Sequence, residues 1–280
     1  MKSIKELLEF SFINIDKPSG PTSFQVSDYV REQLGARKTS HMGTLDPAVS
    51  GVLPIALNRA CKLSPYLMKK NKSYVGIMRM HEDIDDEKLN KEMQKFVRKI
   101  KQMPPVRSSV KRAEREREVY EFNFLEREGK DVLFDSVVEA GTYIRTLIND
   151  LGKNIGGAHM LELRRTDAGV FNENSSVNLY ELDKAVDAHK KGDETLLKGL
   201  LIPAEKVIAK ILPNMNIKKD RLKEILTGKP IHIRDLALEE LKKSRERGVI
   251  VAVFCDGKFV EVARQVLEGE VVAVPEFVLN

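Results

Sequence analysis

The residues with the clearest capacity for chemistry lie in the stretch His41-Met42-Gly43-Thr44-Leu45-Asp46-Pro47-Ala48-Val49-Ser50-Gly51. Asp46 is its one acid, set between Gly43 and Gly51 and followed directly by Pro47. Pro47 has no N–H and pushes Asp46 out of the α region, while the glycines let backbone come close to whatever the carboxylate faces. A loop of this kind presents a single carboxylate as a nucleophile or general base. Asp-Pro is also a common helix N-cap signal, and the loop alone leaves both readings open.

The flanking elements must hold that loop. Phe12 to Ile15 reads as a short strand ending in the turn from Lys17 to Thr22, and Ser23 can cap a helix with Val26, Tyr29, Val30 and Leu34 on one face. After the loop, Val52 to Leu57 reads as a buried strand despite Pro54, and a helix is expected from Arg59 to about Lys69. Ser73 to Met80 is a strand carrying Tyr74. Leu89, Met93, Phe96, Val97 and Ile100 predict a helix over 85–100, stopped by Met103-Pro104-Pro105. From Val106 to Glu118 only charge remains, which reads as an exposed basic loop. Strands from Val119 to Glu126 and Asp131 to Val138 form a hairpin across Gly129. Thr142 is expected to cap a helix reaching about Asn154, which puts Arg145 in the first turn. The helix dipole disfavours a cation there, so Arg145 wants a local anion, either Asp46 or a phosphate. Met160 to Leu163 leads as a strand into Arg164-Arg165.

Residues 172–204 look polar, partly helical and connecting. Beyond Pro213 a short helix over 220–226 and two strands about Asp256-Gly257, a strong hairpin signal, precede a last strand at Val271. Short strands around one small helix suggest a compact β-barrel.

At 280 residues the chain can bury a sizeable core and is expected to hold two domains. With 42% hydrophobic and 32% charged residues it reads as a soluble protein. The net charge of +5 and a pI near 9.0 suit a nucleic-acid partner. The excess is local: nine Lys or Arg against three Glu lie between Lys95 and Val119, and such clustering serves phosphate contacts. Cys61 and Cys255 are far apart, which argues against a disulfide framework or a Cys-type zinc site and for a reducing compartment. No apolar run approaches the length of a membrane span, and the start carries an acid too early for a signal peptide, so a cytoplasmic protein with no membrane partner is expected. The chain has no tryptophan, so base stacking must use Tyr, Phe, His or Arg.

Five segments, in order over residues 12–171, carry a resemblance. Gly43-Thr44-Leu45-Asp46-Pro47, followed by Gly51-Val52-Leu53-Pro54, resembles the catalytic motif of pseudouridine synthases of the tRNA T-loop type and their dyskerin relatives. Asn14 to Ser23 is similar to that family's first motif. Asn71-Lys72-Ser73-Tyr74-Val75 resembles its tyrosine motif, Glu139 to Arg145 its arginine motif, and Leu163 to Phe171 its last. The resemblance implies an α+β catalytic domain over 12–203, built on a mixed, mainly antiparallel sheet with flanking helices. It also implies a small β-barrel PUA domain over 204–280, with much less specific motifs, on which residues 1–11 could pack.

By the same resemblance Asp46 is the catalytic carboxylate, Tyr74 stacks on a flipped uridine, Arg145 pairs with Asp46, and Leu163 forms an apolar wall under the base. His41 helps extrude the base, and Lys17 with Pro18 props the floor of the site. Arg107, Lys111, Arg112 and Arg115 are the expected RNA contacts. One departure stands out: many relatives have His where this chain has Phe24. No metal or organic cofactor is implied, and the sequence contains no Walker loop, H-E-x-x-H or G-x-G-x-x-G.

The leading function is the catalytic subunit of an H/ACA ribonucleoprotein, in which a guide RNA selects a uridine in rRNA or tRNA and small accessory proteins complete the complex. Val106 to Arg112 and Gly157 to Met160 resemble the dyskerin branch. The alternatives are a stand-alone tRNA T-loop enzyme and an RNA-binding scaffold with a decayed site.

Overall fold

The computed structural model describes residues 2–104 and 113–280. α1 (Ile4–Glu9) starts on a reciprocal cap between Ser3 and Glu6 and leads into β1 (Ser11–Lys17). α2 (Ser23–Gln33), β2 (Thr39–His41) and β3 (Ser50–Leu57) follow. β3 is buried from Gly51 to Leu57 because it is covered on both faces, which explains its unbroken apolar run.

The single helix expected over 59–69 is instead a 3-10 segment, Asn58–Leu63, and then α3 (Ser64–Met68). Pro65 cannot carry the N–H ladder across the junction. β4 (Lys72–Met80) is as expected, but the next helix, α4 (Asp86–Gln94), stops well short of Ile100. Lys99 to Gln102 form β5, paired with the start of β6 (Arg115–Glu128). Strand pairing satisfies that backbone and overrides a helical side-chain period. β6 and β7 (Asp131–Val138) make the expected hairpin. α5 (Ile144–Asn154), β8 (Ala158–Ala168) and β9 (Phe171–Asn172) complete this part of the sheet.

The stretch 172–204 is more than a connection. α6 (Leu179–Lys190) and α7 (Thr195–Leu200) put Leu182, Ala185, Val186 and Leu197 into the main core, and β10 (Ile202–Pro203) pairs with β1. Sparse apolar residues at helical spacing were enough to bury one face.

Among the described residues the large sheet has ten strands in the order β10-β1-β3-β8-β4-β7-β6-β5, with β2 on β3 and β9 on β8. Only β3 and β8 run parallel, so the α+β reading with a mixed, mainly antiparallel sheet and flanking helices holds. α8 (Ala204–Ile208) then leads to a second, curled sheet. Its strands are β11 (Asn214–Asn216), β12 (Ile231–His232), β13 (Ile250–Cys255), β14 (Lys258–Glu268) and β15 (Val271–Val278), in the order β11-β13-β14-β15-β12. A 3-10 turn, Lys219–Arg221, and α9 (Leu222–Ile225) stand where one helix was expected. Asp256 and Gly257, at φ of 49° and 73°, turn the β13–β14 hairpin. An apolar layer joins the two sheets: Phe10 stacks on Phe259 at 5.5 Å, with Phe12, Val52, Val207 and Ile208 around them. Phe10 thus reaches the second sheet, whereas Leu7 of α1 belongs to the first core.

Candidate active site

The Asp46 loop spans β2 and β3, which pair with each other, and Met42 N–H donates to the Pro54 carbonyl (2.8 Å) at its foot. Lys17, fully buried at the end of β1, grips the far side: its Nζ donates to the carbonyls of Pro18 (2.8 Å), Pro47 (3.1 Å) and Val49 (2.8 Å). Burial, and then the Arg165 charge, lower the Lys17 pKa, while Asp46 opposes the shift. Ser19 Oγ donates to Ala48 O (3.2 Å) and Gly20 N–H to Pro47 O (2.8 Å), so the turn before α2 is stitched along the loop.

Ser23 does not cap α2. Thr22 does, exchanging bonds with Gln25. Ser23 is buried and spends its hydroxyl on Leu45 instead, donating to its carbonyl (3.0 Å) and accepting from its N–H (2.8 Å). The residue before Asp46 is therefore pinned on both backbone groups. No helix starts at Asp46: Val49 N–H bonds its carbonyl (2.9 Å) and β3 begins at Ser50, which removes the helix-cap reading.

The Asp46 side chain faces Arg145, whose Nη2 donates to Oδ2 at 2.8 Å. Arg145 is in the first turn of α5, where a cation needs an anion. Thr142 does not cap this helix. Its Oγ1 is buried with no partner among the described residues, and Tyr143 occupies the cap position without a side-chain bond of its own. Gln102 of β5 supplies the restraint, with Tyr143 N–H donating to its Oε1 (3.0 Å) and its Nε2 to Tyr143 O (3.2 Å).

Tyr74 of β4 lies opposite Arg165 of β8, and Gly76 lies opposite Leu163. A side chain at Gly76 would meet Leu163 Cδ1 at 2.9 Å, so the missing Cβ is what lets Leu163 close over the strand. Arg165 is 1% exposed. Its Nε donates to Val52 O (2.7 Å), its Nη2 to Gly43 O (3.1 Å), and it also engages the Tyr74 side chain. One buried guanidinium thus joins the Tyr74 strand to the Asp46 loop. The approach requires glycine at Gly51, where φ is +103° and a Cβ would stand 2.2 Å from Arg165 O. Lys72 is buried beside this group and donates to the Met68 carbonyl (2.8 Å) and that of Lys70. Burial, and then Arg165, push its pKa down to about 8. His41, at the foot of the loop, is also shifted down by burial and Arg165, and its Nδ1 has no partner among the described residues.

The fold therefore brings Asp46, Arg145, Tyr74, Leu163, His41, Lys17 and Pro18 to one end of the large sheet. Sequence reasoning missed Ser23 as a loop anchor, Gln102, Lys72 and Arg165. The two-residue period of β8 signalled the last of these, since it places Leu163 and Arg165 on one face and Arg164 on the other. Arg164 instead pairs with Asp16 (2.9 Å) and Glu173 (2.9 Å).

Arg107, Lys111 and Arg112 lie outside the described residues. Arg115 opens β6 opposite Gln102, so the stretch expected as a loop to Glu118 is strand from there on. Lys99–Glu116 (3.4 Å) and Lys101–Glu114 (3.3 Å) pair across this hairpin, so part of the basic excess is balanced locally. Among the described residues, no cluster of three or more His, Cys, Asp or Glu could hold a metal. No helix there is long and apolar enough to cross a membrane.

Comparison with known proteins sets the class of this fold: an RNA pseudouridine synthase, an isomerase that converts uridine to pseudouridine. Residues 31–144 match the N-terminal domain of the TruB family pseudouridylate synthases, and residues 145–209 match the tRNA pseudouridylate synthase B C-terminal domain. A probable tRNA pseudouridine synthase B of Archaeoglobus fulgidus is 41% identical over 96% of this chain and 83% of its own length. That of Nanoarchaeum equitans is 39% identical over 98% and 75%. The chain belongs to the TruB family. Among solved structures, a Cbf5-Nop10-Gar1 complex matches with a TM-score of 0.89 and 36% identity, over 99% of this chain and 87% of that one. An H/ACA ribonucleoprotein bound to a substrate RNA containing 2′-deoxyuridine matches with a TM-score of 0.89 and 34% identity, over 100% and 88%.

Proposed function

We propose that Asp46 is the catalytic carboxylate and that a box H/ACA guide RNA directs this pseudouridine synthase to its uridine. The reaction breaks the uracil N1–C1′ bond, turns the base and rejoins it to C1′ through C5, whose proton is lost as N1 gains one. Asp46 serves as nucleophile at C1′ or as base for the C2′ proton. Because base and sugar stay in one pocket, one carboxylate suffices. The uridine must leave its stack to be reached. Tyr74 and Leu163 sandwich it, His41 aids its extrusion, Arg145 orients Asp46, and Lys17 with Pro18 fixes the loop floor. The observation that carries this reading is the 2.8 Å pair between Arg145 and Asp46 in a loop tied down on both sides.

The guide-directed reading is supported by the high likeness, over nearly the whole chain, to the two H/ACA-type structures. Those were solved with Nop10 and Gar1 or with substrate RNA, and we infer that this chain likewise works with small accessory proteins, a guide RNA and an rRNA or tRNA substrate. The curled sheet is then a PUA-like barrel that grips the guide. The Ile217–Leu236 bridge between the segments after its outer strands supports closure. The names of the archaeal relatives favour a second reading, a stand-alone enzyme acting on tRNA.

Guide exchange tests the choice. Pseudouridine is mapped on an rRNA fragment and a tRNA, with and without accessory proteins and a matching guide. Redirection to a new uridine when the guide's pocket sequence is changed supports the first reading. Full activity on tRNA alone, with no gain from the guide, supports the second.

A further inference from the structure

Among the described residues three large apolar or aromatic side chains are more than 70% exposed: Phe24 at 72%, Tyr180 at 77% and Leu238 at 76%. Tyr180 belongs to α6 and Leu238 to a 3-10 segment between β12 and β13, and neither lies on an element that ties down the Asp46 loop. Phe24 does not. It follows Ser23, whose hydroxyl holds both backbone groups of Leu45, and Leu45 precedes Asp46. The Thr22–Gln25 cap fixes the first turn that carries it, and the buried face of α2 is taken by Ser23, Val26, Ser27 and Val30. An aromatic ring is therefore held in water, in a fixed turn, one residue from the side chain that anchors the Asp46 loop.

We propose that Phe24 is a stacking platform for an RNA base next to the flipped uridine. Every base has a π-face, so one phenyl ring can hold a neighbouring nucleotide whatever its identity. That tolerance suits an enzyme whose target sequence is chosen elsewhere. Stacking would also offset part of the cost of unstacking the target, because the neighbour gains a new partner as the uridine leaves. The proposal rests on the reading of Asp46 as the reaction centre.

The chain lacks tryptophan, so Phe24→Trp supplies the only indole in the molecule and a direct optical probe. The variant is made in the Asp46→Asn background, so that RNA binds without turning over, and is titrated with a uridine-containing RNA and matching guide, with saturation checked by filter binding. Quenching of the indole together with protection from acrylamide is expected. Unquenched emission at saturating RNA overturns the proposal, as does quenching by accessory proteins alone in the absence of RNA. In the Asp46-containing enzyme, Phe24→Ala should raise KM for RNA roughly 5- to 150-fold, the range for one base on one ring, with an unchanged melting temperature. Phe24→Tyr should stay near wild type, and Phe24→Leu should behave like the alanine variant. Wild-type KM in the leucine variant would mean that apolar bulk, not stacking, is what matters. If Asp46→Asn still forms pseudouridine, the site assignment fails independently of the fluorescence result.

Discussion

Arg145 and Asp46, 99 positions apart in sequence, meet with Nη2 2.8 Å from Oδ2. Neither side chain is buried, at 50% and 55% exposed, so this ion pair contributes only about 0–1 kcal/mol to stability. Its value lies in direction: the guanidinium fixes one carboxylate oxygen, which on the proposed mechanism aims Asp46 at the ribose.

Asp46→Asn should therefore lower pseudouridine formation by at least about 100-fold, with little change in melting temperature or RNA affinity. Arg145→Ala should lower turnover with the fold intact, and Arg145→Lys should restore only part, because an ammonium lacks the planar fork. Turnover by the Asp46→Asn variant at the wild-type rate would remove Asp46 from the chemistry.

The loop anchors separate positioning from folding. Ser23→Ala leaves the buried Leu45 N–H and carbonyl without their partner, a loss of about 1–3 kcal/mol. It should reduce turnover more than RNA affinity. Gly51→Ala should be far worse, exceeding the ~1–3 kcal/mol of ordinary overpacking, since its Cβ would stand 2.2 Å from the Arg165 carbonyl. Soluble yield and thermal unfolding check both, and a Gly51→Ala protein melting like wild type would contradict the geometry.

Glu261 of β14 gives a pH prediction. It is fully buried, neither carboxylate oxygen has a partner among the described residues, and burial pushes its pKa up to about 8 from 4.5. The folded state thus keeps a proton that the unfolded state releases, so stability falls as pH rises from about 4.5 to about 8, by at most ~1.4 kcal/mol per pH unit from this group. Glu261→Gln removes the ionisable group and with it this pH dependence. The variant should match wild type near pH 4.5 and melt several degrees higher at pH 8. Equal melting temperatures across that range would show that Glu261 reaches solvent or a partner.

The basic segment is tested through salt. If Lys111, Arg112 and Arg115 each neutralise a phosphate, replacing all three by Gln should lower the slope of log K against log salt by about three. An unchanged slope would take them out of the RNA interface.

Much of the architecture was legible because it is written in local terms. The alternation of Asp131 to Val138, the Asp256-Gly257 turn and the apolar face of α5 each follow from neighbours a few residues apart. The motif order further marked Asp46, Tyr74 and Arg145 as parts of one site. What local patterns could not settle was competition between equally good local choices. Ser23 and Thr142 were both good caps on paper. Thr22 took the first cap, freeing Ser23 for Leu45, and Gln102, forty-one positions away, restrained the Tyr143 cap position in place of the Thr142 side chain. Ile100 fits a helix period, yet it lies in β5 because the strand beginning at Arg115 was there to pair with it. Arg165 was one of two adjacent arginines. Only the placement of β8 between β3 and β4 decided that it, and not Arg164, would be buried between the Asp46 loop and the Tyr74 strand. The sequence by itself determined which groups could do the chemistry, since that depends on residue type and near neighbours. The tertiary structure alone decided which backbone groups hold them still, because a buried hydrogen bond is settled by whichever donor and acceptor the sheet order brings together.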